Sequence, residues 1–205
     1  MRSSIVLILA TIISSAWANL PDPGACGVDL SDRIYGGNIT GLTSYPWTAI
    51  LIFRESGRDS DLFHCGGSLI SDRYVLTAAH CLDGLSDDYK LDRIRLGEWN
   101  LLTDPDCDDE QQYCNEPSLN VGIEKTITHE DYDSSRILND IALIKLNQSV
   151  NFTETISPVC LPLSDLTKNK NTNNMVFTAI GWGNTEHRNG TYGNTLLKSA
   201  IFQTK

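Results

Sequence analysis

The sequence predicts an all-β fold, a barrel or a sandwich, on three observations. Short strand-like runs recur along the chain with turn residues between them, no helical run reaches a useful length, and no internal repeat or low-complexity tract interrupts the pattern. The predicted strands are, in chain order, Trp47 to Phe53, Leu62 to Ile70, Tyr74 to Thr77, Arg93 to Trp99, Val121 to Thr128, Asp140 to Leu146, Met175 to Trp182 and Leu196 to Phe202.

Length and charge limit the classes of function. A chain of 205 residues suits one or two small domains, and 40% hydrophobic residues can supply a core. The 26 acidic residues outnumber the 16 basic ones, which gives a net charge of -10. Nucleic acids and anionic membranes both bind a positive surface, so neither is expected as a partner. The acidic excess favours solubility and, locally, cation binding.

The N-terminus predicts secretion. Arg2 precedes an apolar run from Ile5 to Ile13, and Ala16-Trp17-Ala18 has the pattern of a signal-peptide cleavage site. The run is too short to span a bilayer, so residues 1–18 are expected to be a signal peptide and the mature protein to be extracellular. An uncleaved anchor is the alternative. In this context we also expect N-glycosylation at the sequons of Asn38, Asn147, Asn151 and Asn189.

Secretion gives the cysteine count a meaning. Six cysteines in an oxidising compartment predict three disulfides, and the sequence alone leaves 15 connectivities open. If all six are paired, no free thiol remains. Cysteine spacing of the CxxC type is absent from the chain, so no zinc site is expected.

Two apolar segments each carry one titratable side chain suited to catalysis. Leu76-Thr77-Ala78-Ala79-His80-Cys81 frames a histidine, and the segment Asn139 to Leu146 frames Asp140. A histidine can act as a general base, and a carboxylate can fix its tautomer and stabilise its charged form. Taken singly, His80 could be a partly buried structural histidine and Asp140 a residue at the start of a strand. His64, His129 and His187 lack such a frame and are expected to be structural or exposed.

These two segments resemble those around the histidine and aspartate of the trypsin/chymotrypsin family of serine endopeptidases, in the same order. The resemblance covers nearly all of residues 33–205 and includes Gly181-Trp182-Gly183, a marker near the start of the family's second barrel. It implies two packed antiparallel β-barrels with the catalytic residues between them. The first barrel, about residues 34–150, is expected to be complete and the second truncated, which makes 34–205 an incomplete peptidase domain. No Gly-Asp-Ser-Gly-Gly segment occurs, so this polypeptide alone is predicted to be inactive.

The resemblance also implies a disulfide pattern and an activation site. Cys65 is expected to pair with Cys81, Cys26 with Cys160, and Cys107 with Cys114. Residues 19–33 would form a propeptide, and cleavage of the bond between Arg33 and Ile34 would activate the zymogen. An ordinary surface turn at Arg33 is the alternative.

A second site is expected between the two catalytic segments. The stretch from Leu96 to Cys107 is rich in hard oxygen donors, which calcium prefers. It is similar to the calcium loop of arthropod clip-domain proteases, and the resemblance assigns Glu98, Asn100, Thr103 and Asp106 as ligands. The alternative is a solvated acidic loop. A clip domain itself is not expected, because Cys26 alone precedes Arg33.

The function predicted from these features is a secreted serine endopeptidase zymogen of an extracellular cascade such as innate immunity. The implied partners are a protein substrate, an upstream activating protease and a serpin-type inhibitor. The alternative is a short non-catalytic homologue that acts as a decoy or binding partner.

Overall fold

The structure is a computed structural model that describes residues 20–21, 25–28, 39–83, 85–86, 88–108, 112–162, 176–186, 192–194 and 199–204. This part of the chain is almost entirely β, with one 3₁₀ turn at Ala79–Cys81. Its helical content includes nothing long and apolar enough to cross a membrane. The strands are β1 (Thr48–Glu55), β2 (Leu62–Leu69), β3 (Tyr74–Thr77), β4 (Tyr89–Leu96), β5 (Leu119–Thr128), β6 (Ala142–Leu146), β7 (Val176–Gly181), β8 (Asn184–Glu186), β9 (Tyr192–Asn194) and β10 (Ser199–Thr204).

The first six strands form a closed antiparallel barrel in the order β1-β2-β3-β6-β5-β4, with β4 pairing back onto β1. The β3–β6 pair brings Thr77 opposite Ala142. This pair matters for function, because the chain leaves β3 towards His80 and enters β6 from Asp140. The predicted first barrel is confirmed.

Alternating side chains fill the barrel. In β6 the residues Ala142, Ile144 and Leu146 are buried while those between them are partly exposed, as expected for a strand with one face on the core. β4 alternates in the same way towards its end, whereas β1 is buried on both faces from Thr48 to Phe53. The buried side chains form one contiguous cluster: Ala49, Leu51, Phe53, Leu69, Val75, Cys81, Ile94, Leu96, Val121, Ile144, Leu146, Val150 and Ile156.

Of the eight predicted strands, Tyr74–Thr77 has the predicted limits; the others differ by one to four residues at one end or both, and two of these differences have a clear cause. The fourth begins at Tyr89, four residues before the predicted start, because the exposed Lys90 and Asp92 interrupt the apolar pattern by which strands are recognised. It ends at Leu96, since Gly97 follows with φ +74°. The sixth begins at Ala142, because Asn139 takes a left-handed backbone with φ 54° and Ile141 bonds back to it. Asp140 therefore lies in a turn that precedes the strand.

After the barrel the described residues form two small antiparallel sheets. β7 pairs with β10, so that Ser199 lies opposite Gly181, and these strands correspond to the two predicted between 175 and 202. β8 pairs with β9, and neither was predicted, because strands of three residues carry too little periodicity to be recognised. The two small sheets lie in the stretch where the second barrel was expected to begin.

The three expected disulfides are all present. Cys26 is bonded to Cys160, Cys65 to Cys81, and Cys107 to Cys114. The second of these fastens the 3₁₀ turn to strand β2, across a sequence separation of 16 residues. The described residues include no free cysteine.

Candidate active site

His80 occupies the middle of the 3₁₀ turn that follows β3. Its neighbours Ala79 and Cys81 are buried, and Cys81 is tied to β2 through Cys65. Because both neighbours point inwards, the imidazole between them points outwards, and its side chain is 58% exposed. The apolar frame recognised in the sequence therefore anchors the backbone and leaves the ring accessible.

Asp140 contacts His80 through both carboxylate oxygens. Oδ2 lies 2.7 Å from His80 Nδ1, and Oδ1 accepts a hydrogen bond of 2.8 Å from the backbone N–H of His80. The hydrogen bond from the imidazole, followed by those from the backbone N–H groups of His80 and Ala79, lowers the pKa of Asp140 below its usual value. The carboxylate therefore stays ionised at neutral pH and fixes both the place and the orientation of the ring.

This arrangement determines what the imidazole can do. With Nδ1 bonded to a carboxylate, Nδ1 carries the proton and Nε2 presents its lone pair. Nε2 lies 3.6 Å from Cys81 Sγ and is otherwise directed to the accessible side of the ring. A histidine held in this tautomer can take a proton from a hydroxyl group placed against Nε2.

The other histidines have structural surroundings or exposed positions. The His64 ring packs edge-to-face between the rings of Phe53 and Tyr89. His129 is exposed, and its Nδ1 accepts the backbone N–H of Asp131. Both agree with the prediction, whereas His187 lies outside the described residues. The sulfurs of Cys65 and Cys81 lie close to His80, but they are bonded to each other and offer no thiolate to a metal.

The acidic loop after β4 brings the four expected calcium ligands together. Asp106 Oδ2 accepts the backbone N–H groups of Trp99 and Asn100, each at 2.9 Å, and its Oδ1 accepts the Thr103 hydroxyl at 2.6 Å. Glu98 Oε1 accepts the same Trp99 N–H at 3.0 Å. Asn100 Oδ1 accepts the N–H of Leu102 at 3.2 Å.

The donor set fits a hard divalent cation. Glu98 is only 2% exposed and Asp106 only 4%, so two carboxylates share a buried site. Burial, and then the charge of Asp106, raise the pKa of Glu98, while Arg95 at 3.2 Å opposes that rise. Buried like charges that one arginine only partly neutralises are stabilised by a cation with oxygen ligands.

Trp99 links this loop to two other segments, and sequence reasoning did not identify it. Its indole N–H donates to the carbonyl oxygen of Thr40 at 2.7 Å, and its carbonyl oxygen accepts the indole N–H of Trp182 at 3.1 Å. In each contact an indole N–H donates to a backbone carbonyl, and a backbone acceptor leaves no residue pattern to recognise.

Several predicted sites have no described structure. The signal peptide, the proposed cleavage bond at Arg33 and Ile34, and the sequons at Asn38 and Asn189 lie outside the described residues. The remaining sequons are described, and both Asn147 and Asn151 are exposed.

Comparison with known proteins places this geometry in a family. A family model described as Trypsin matches residues 34–202. Serine protease ea of Drosophila melanogaster is 42% identical over 189 residues, which cover 89% of this chain and 47% of that protein. Serine protease grass of the same organism is 44% identical over 178 residues, covering 86% and 46% of the two chains. CLIP domain-containing serine protease B4 of Anopheles gambiae is 42% identical over 181 residues, covering 86% and 49%.

A solved structure agrees with these relatives. The crystal structure of the Drosophila Grass clip serine protease of the Toll pathway matches with a TM-score of 0.77 and 41% identity, over 92% of this chain and 52% of that one. The chain thus spans about half the length of the relatives it matches. The family match, the identity to these proteases and the trypsin-like fold together show that the chain belongs to the trypsin family of serine proteases.

Proposed function

We propose that this chain is the base-bearing part of a secreted serine endopeptidase zymogen, in which His80 is the general base and Asp140 orients it. The observation that carries the proposal is the two-point contact of Asp140 with the Nδ1 atom and the backbone N–H of His80. An aspartate that served only to begin a strand would have no reason to engage both groups. This contact leaves Nε2 available to accept a proton from a serine nucleophile.

In the proposed mechanism His80 transfers a proton and Asp140 stabilises the charge that forms on His80. In the complete protease, a serine hydroxyl placed against Nε2 of His80 attacks the scissile carbonyl while Nε2 takes its proton. The ionised carboxylate of Asp140 stabilises the imidazolium that forms. The imidazolium then gives its proton to the leaving amine, which returns His80 to its starting tautomer.

Activation is proposed to occur by cleavage between Arg33 and Ile34. Cys26 is buried and bonded to Cys160, and the N–H of the adjacent Gly27 donates to the carbonyl of Pro158 at 2.8 Å. A cut at residue 33 would therefore leave residues 19–33 attached to the barrel. An upstream protease would make this cut, the product would act on a protein substrate, and a serpin-type inhibitor would end its activity.

The extracellular location and the cascade role have separate support. The signal-like N-terminus and three disulfides favour an oxidising compartment. Relatives with 41–44% identity carry the names Melanization protease 1 and Phenoloxidase-activating factor 3. We therefore place the protein in an extracellular cascade of the innate-immune kind, with glycans on the sequons of Asn38, Asn147, Asn151 and Asn189.

Calcium is proposed as a structural ion. Glu98 and Asp106 would supply carboxylate oxygens, and Asn100 and Thr103 neutral oxygens. The ion would neutralise the buried carboxylates and stiffen the loop that Trp99 joins to Thr40 and Trp182. It would take no part in peptide hydrolysis.

The test compares two polypeptides and two variants. The complete protease, cleaved at Arg33, should hydrolyse peptides from a panel of substrates, and His80→Ala or Asp140→Asn should lower kcat by orders of magnitude while the fold persists. Residues 19–205 alone should show no hydrolysis that depends on His80. Hydrolysis by residues 19–205 that His80→Ala abolishes would contradict the assignment of the nucleophile. A complete, cleaved protein without activity would instead support the non-catalytic homologue.

A further inference from the structure

We infer that Asn139 is the positioning residue that places Asp140 against His80. This inference deepens the proposed function and rests on it. Asn139 has a left-handed backbone with φ 54°, and its side-chain Nδ2 donates to the carbonyl oxygen of Asp131 at 2.9 Å. Its own carbonyl oxygen accepts the N–H of Ile141 at 2.8 Å. One residue thus closes the turn around Asp140 and fastens that turn to the preceding loop.

The backbone before Asp140 is held in a conformation that most residues avoid. Asparagine tolerates the left-handed region better than other residues with a Cβ atom, whereas a β-branched residue tolerates it poorly. Ile137 is nonetheless at φ 53°. Such conformations persist only where surrounding contacts impose them, and they concentrate at functional sites.

The contacts that impose them lie within residues 131–139. Asp133 and Leu138 exchange backbone hydrogen bonds of 3.0 and 3.2 Å. The Asp133 carboxylate accepts hydrogen bonds from the backbone and side chains of Ser135 and Arg136. These bonds close the loop on itself. Of the side-chain hydrogen bonds described for the loop, that of Asn139 is the one made by the residue next to Asp140.

The two hydrogen bonds that Asp140 makes to His80 explain why the turn before it must be held in place. One oxygen must reach Nδ1 at 2.7 Å while the other reaches the backbone N–H at 2.8 Å. The register of β6 fixes Ala142 opposite Thr77, so the chain has only residues 139–141 in which to turn the carboxylate to His80. A displacement of about 1 Å in a catalytic group costs on the order of a hundredfold in rate. The side chain of Asn139 donates to Asp131 rather than to His80, so its role is to hold Asp140.

The test uses the complete protease and two variants. Asn139→Gly can still adopt the left-handed backbone but loses the side-chain hydrogen bond to Asp131. Asn139→Ala loses that hydrogen bond and also disfavours the left-handed backbone. The readouts are kcat and KM on a peptide substrate, and the proton NMR resonance of His80 Nδ1–H, which a short bond to a carboxylate moves far downfield. The absence of that resonance in His80→Ala assigns it. Ser135→Ala is the matched control, since it removes one of the four hydrogen bonds to the Asp133 carboxylate, leaves the other three in place and keeps the bond from Asn139 to Asp131.

The expected result is loss or upfield movement of the His80 resonance in both variants. The value of kcat should fall about ten- to a hundredfold with little change in KM. Ser135→Ala should keep the resonance and kcat. A folded Asn139→Gly with an unchanged resonance and kcat would overturn the inference, and so would an Asn139→Gly that fails to fold, because the residue would then support the loop at large.

The proposed function fails in a different way. If the wild-type protease shows no downfield resonance that His80→Ala removes, the His80–Asp140 pair itself is wrong. If that resonance is present and Asn139→Gly leaves it unchanged, the pair stands and only the role of Asn139 is withdrawn.

Discussion

Glu98 and Asp106 point their carboxylates at the same backbone N–H group, that of Trp99, at 3.0 and 2.9 Å. Two buried negative groups thus converge on one donor, and Arg95 neutralises only one of them from 3.2 Å. Without a further cation their repulsion opposes folding. The loop therefore gains more from a bound cation than an exposed acidic loop would.

Calcium is expected to raise the melting temperature of the complete protease. A ligand that binds only the folded state stabilises it by about 2.7 kcal/mol at a hundred times its Kd. Glu98→Gln should abolish this response. In chelator, however, the variant should be as stable as the wild type or more stable, since it removes one of two like charges. Thermal unfolding with and without calcium measures both effects.

The control for the calcium prediction is Glu116→Gln, which removes an exposed carboxylate two residues after Cys114. It should leave the calcium response intact. If the melting temperature of the wild type is unchanged from micromolar to millimolar calcium, the protein does not bind the ion. If Glu98→Gln responds to calcium as the wild type does, Glu98 is not a ligand.

Substitution by alanine at two adjacent glycines in β2 should change the stability of the protein to very different extents. A Cβ on Gly67 would lie 2.7 Å from Val75 Cγ1 and 2.9 Å from the backbone oxygen of Leu76, and a backbone atom cannot move aside. A Cβ on Gly66 would meet Ala49 O at 3.5 Å, an ordinary contact. Gly67→Ala should therefore cost about 1–3 kcal/mol or more of unfolding free energy, and Gly66→Ala close to nothing. Equal denaturation midpoints for the two variants would show that the β2–β3 packing is wrong.

The Asp133 carboxylate predicts a pH dependence of stability. Hydrogen bonds from Ser135 and then Arg136 lower its pKa, so its contribution is fully present above the ordinary aspartate pKa of about 4. That contribution is lost as the pH falls through the lowered pKa. The melting temperature of Asp133→Asn should thus lie below that of the wild type at neutral pH, and the gap should close in acid. A gap that stays constant from pH 7 to pH 2 would contradict this.

Removal of the disulfide beside His80 should lower the stability of the protein but leave the His80–Asp140 pair assembled. Replacing Cys65 and Cys81 together by alanine opens a loop with a separation of 16 residues, which should cost about 3 kcal/mol in chain entropy. Asp140 should still hold the ring, because its two bonds to His80 do not involve the sulfurs. Unfolding in urea measures the first effect, and the downfield His80 resonance checks the second.

The sequence predicted those parts of the fold and site that depend on side-chain pattern. β3 has the predicted limits because three of the four residues from Tyr74 to Thr77 are aromatic or β-branched, which favours a strand, and His80 was recognisable from its apolar frame. The predicted start of β6 was wrong by two residues, since nothing in the pattern shows that Asn139 adopts a left-handed backbone. The role of Trp99 was likewise hidden, because its indole donates to a backbone carbonyl and its own carbonyl accepts the Trp182 indole.

The opposition of Thr77 and Ala142 in neighbouring strands has an evolutionary consequence. His80 lies three residues after Thr77, and Asp140 lies two residues before Ala142. The distance between the two side chains therefore depends on this one pair of opposed residues. The hydrogen bonds that hold the pair come from residues 131–140 and from the β3–β6 ladder, and none of them comes from the acidic loop after β4. Insertions and deletions in the acidic loop or in the loop after β1 would therefore leave the His80–Asp140 geometry intact, so these loops are free to vary in length and sequence.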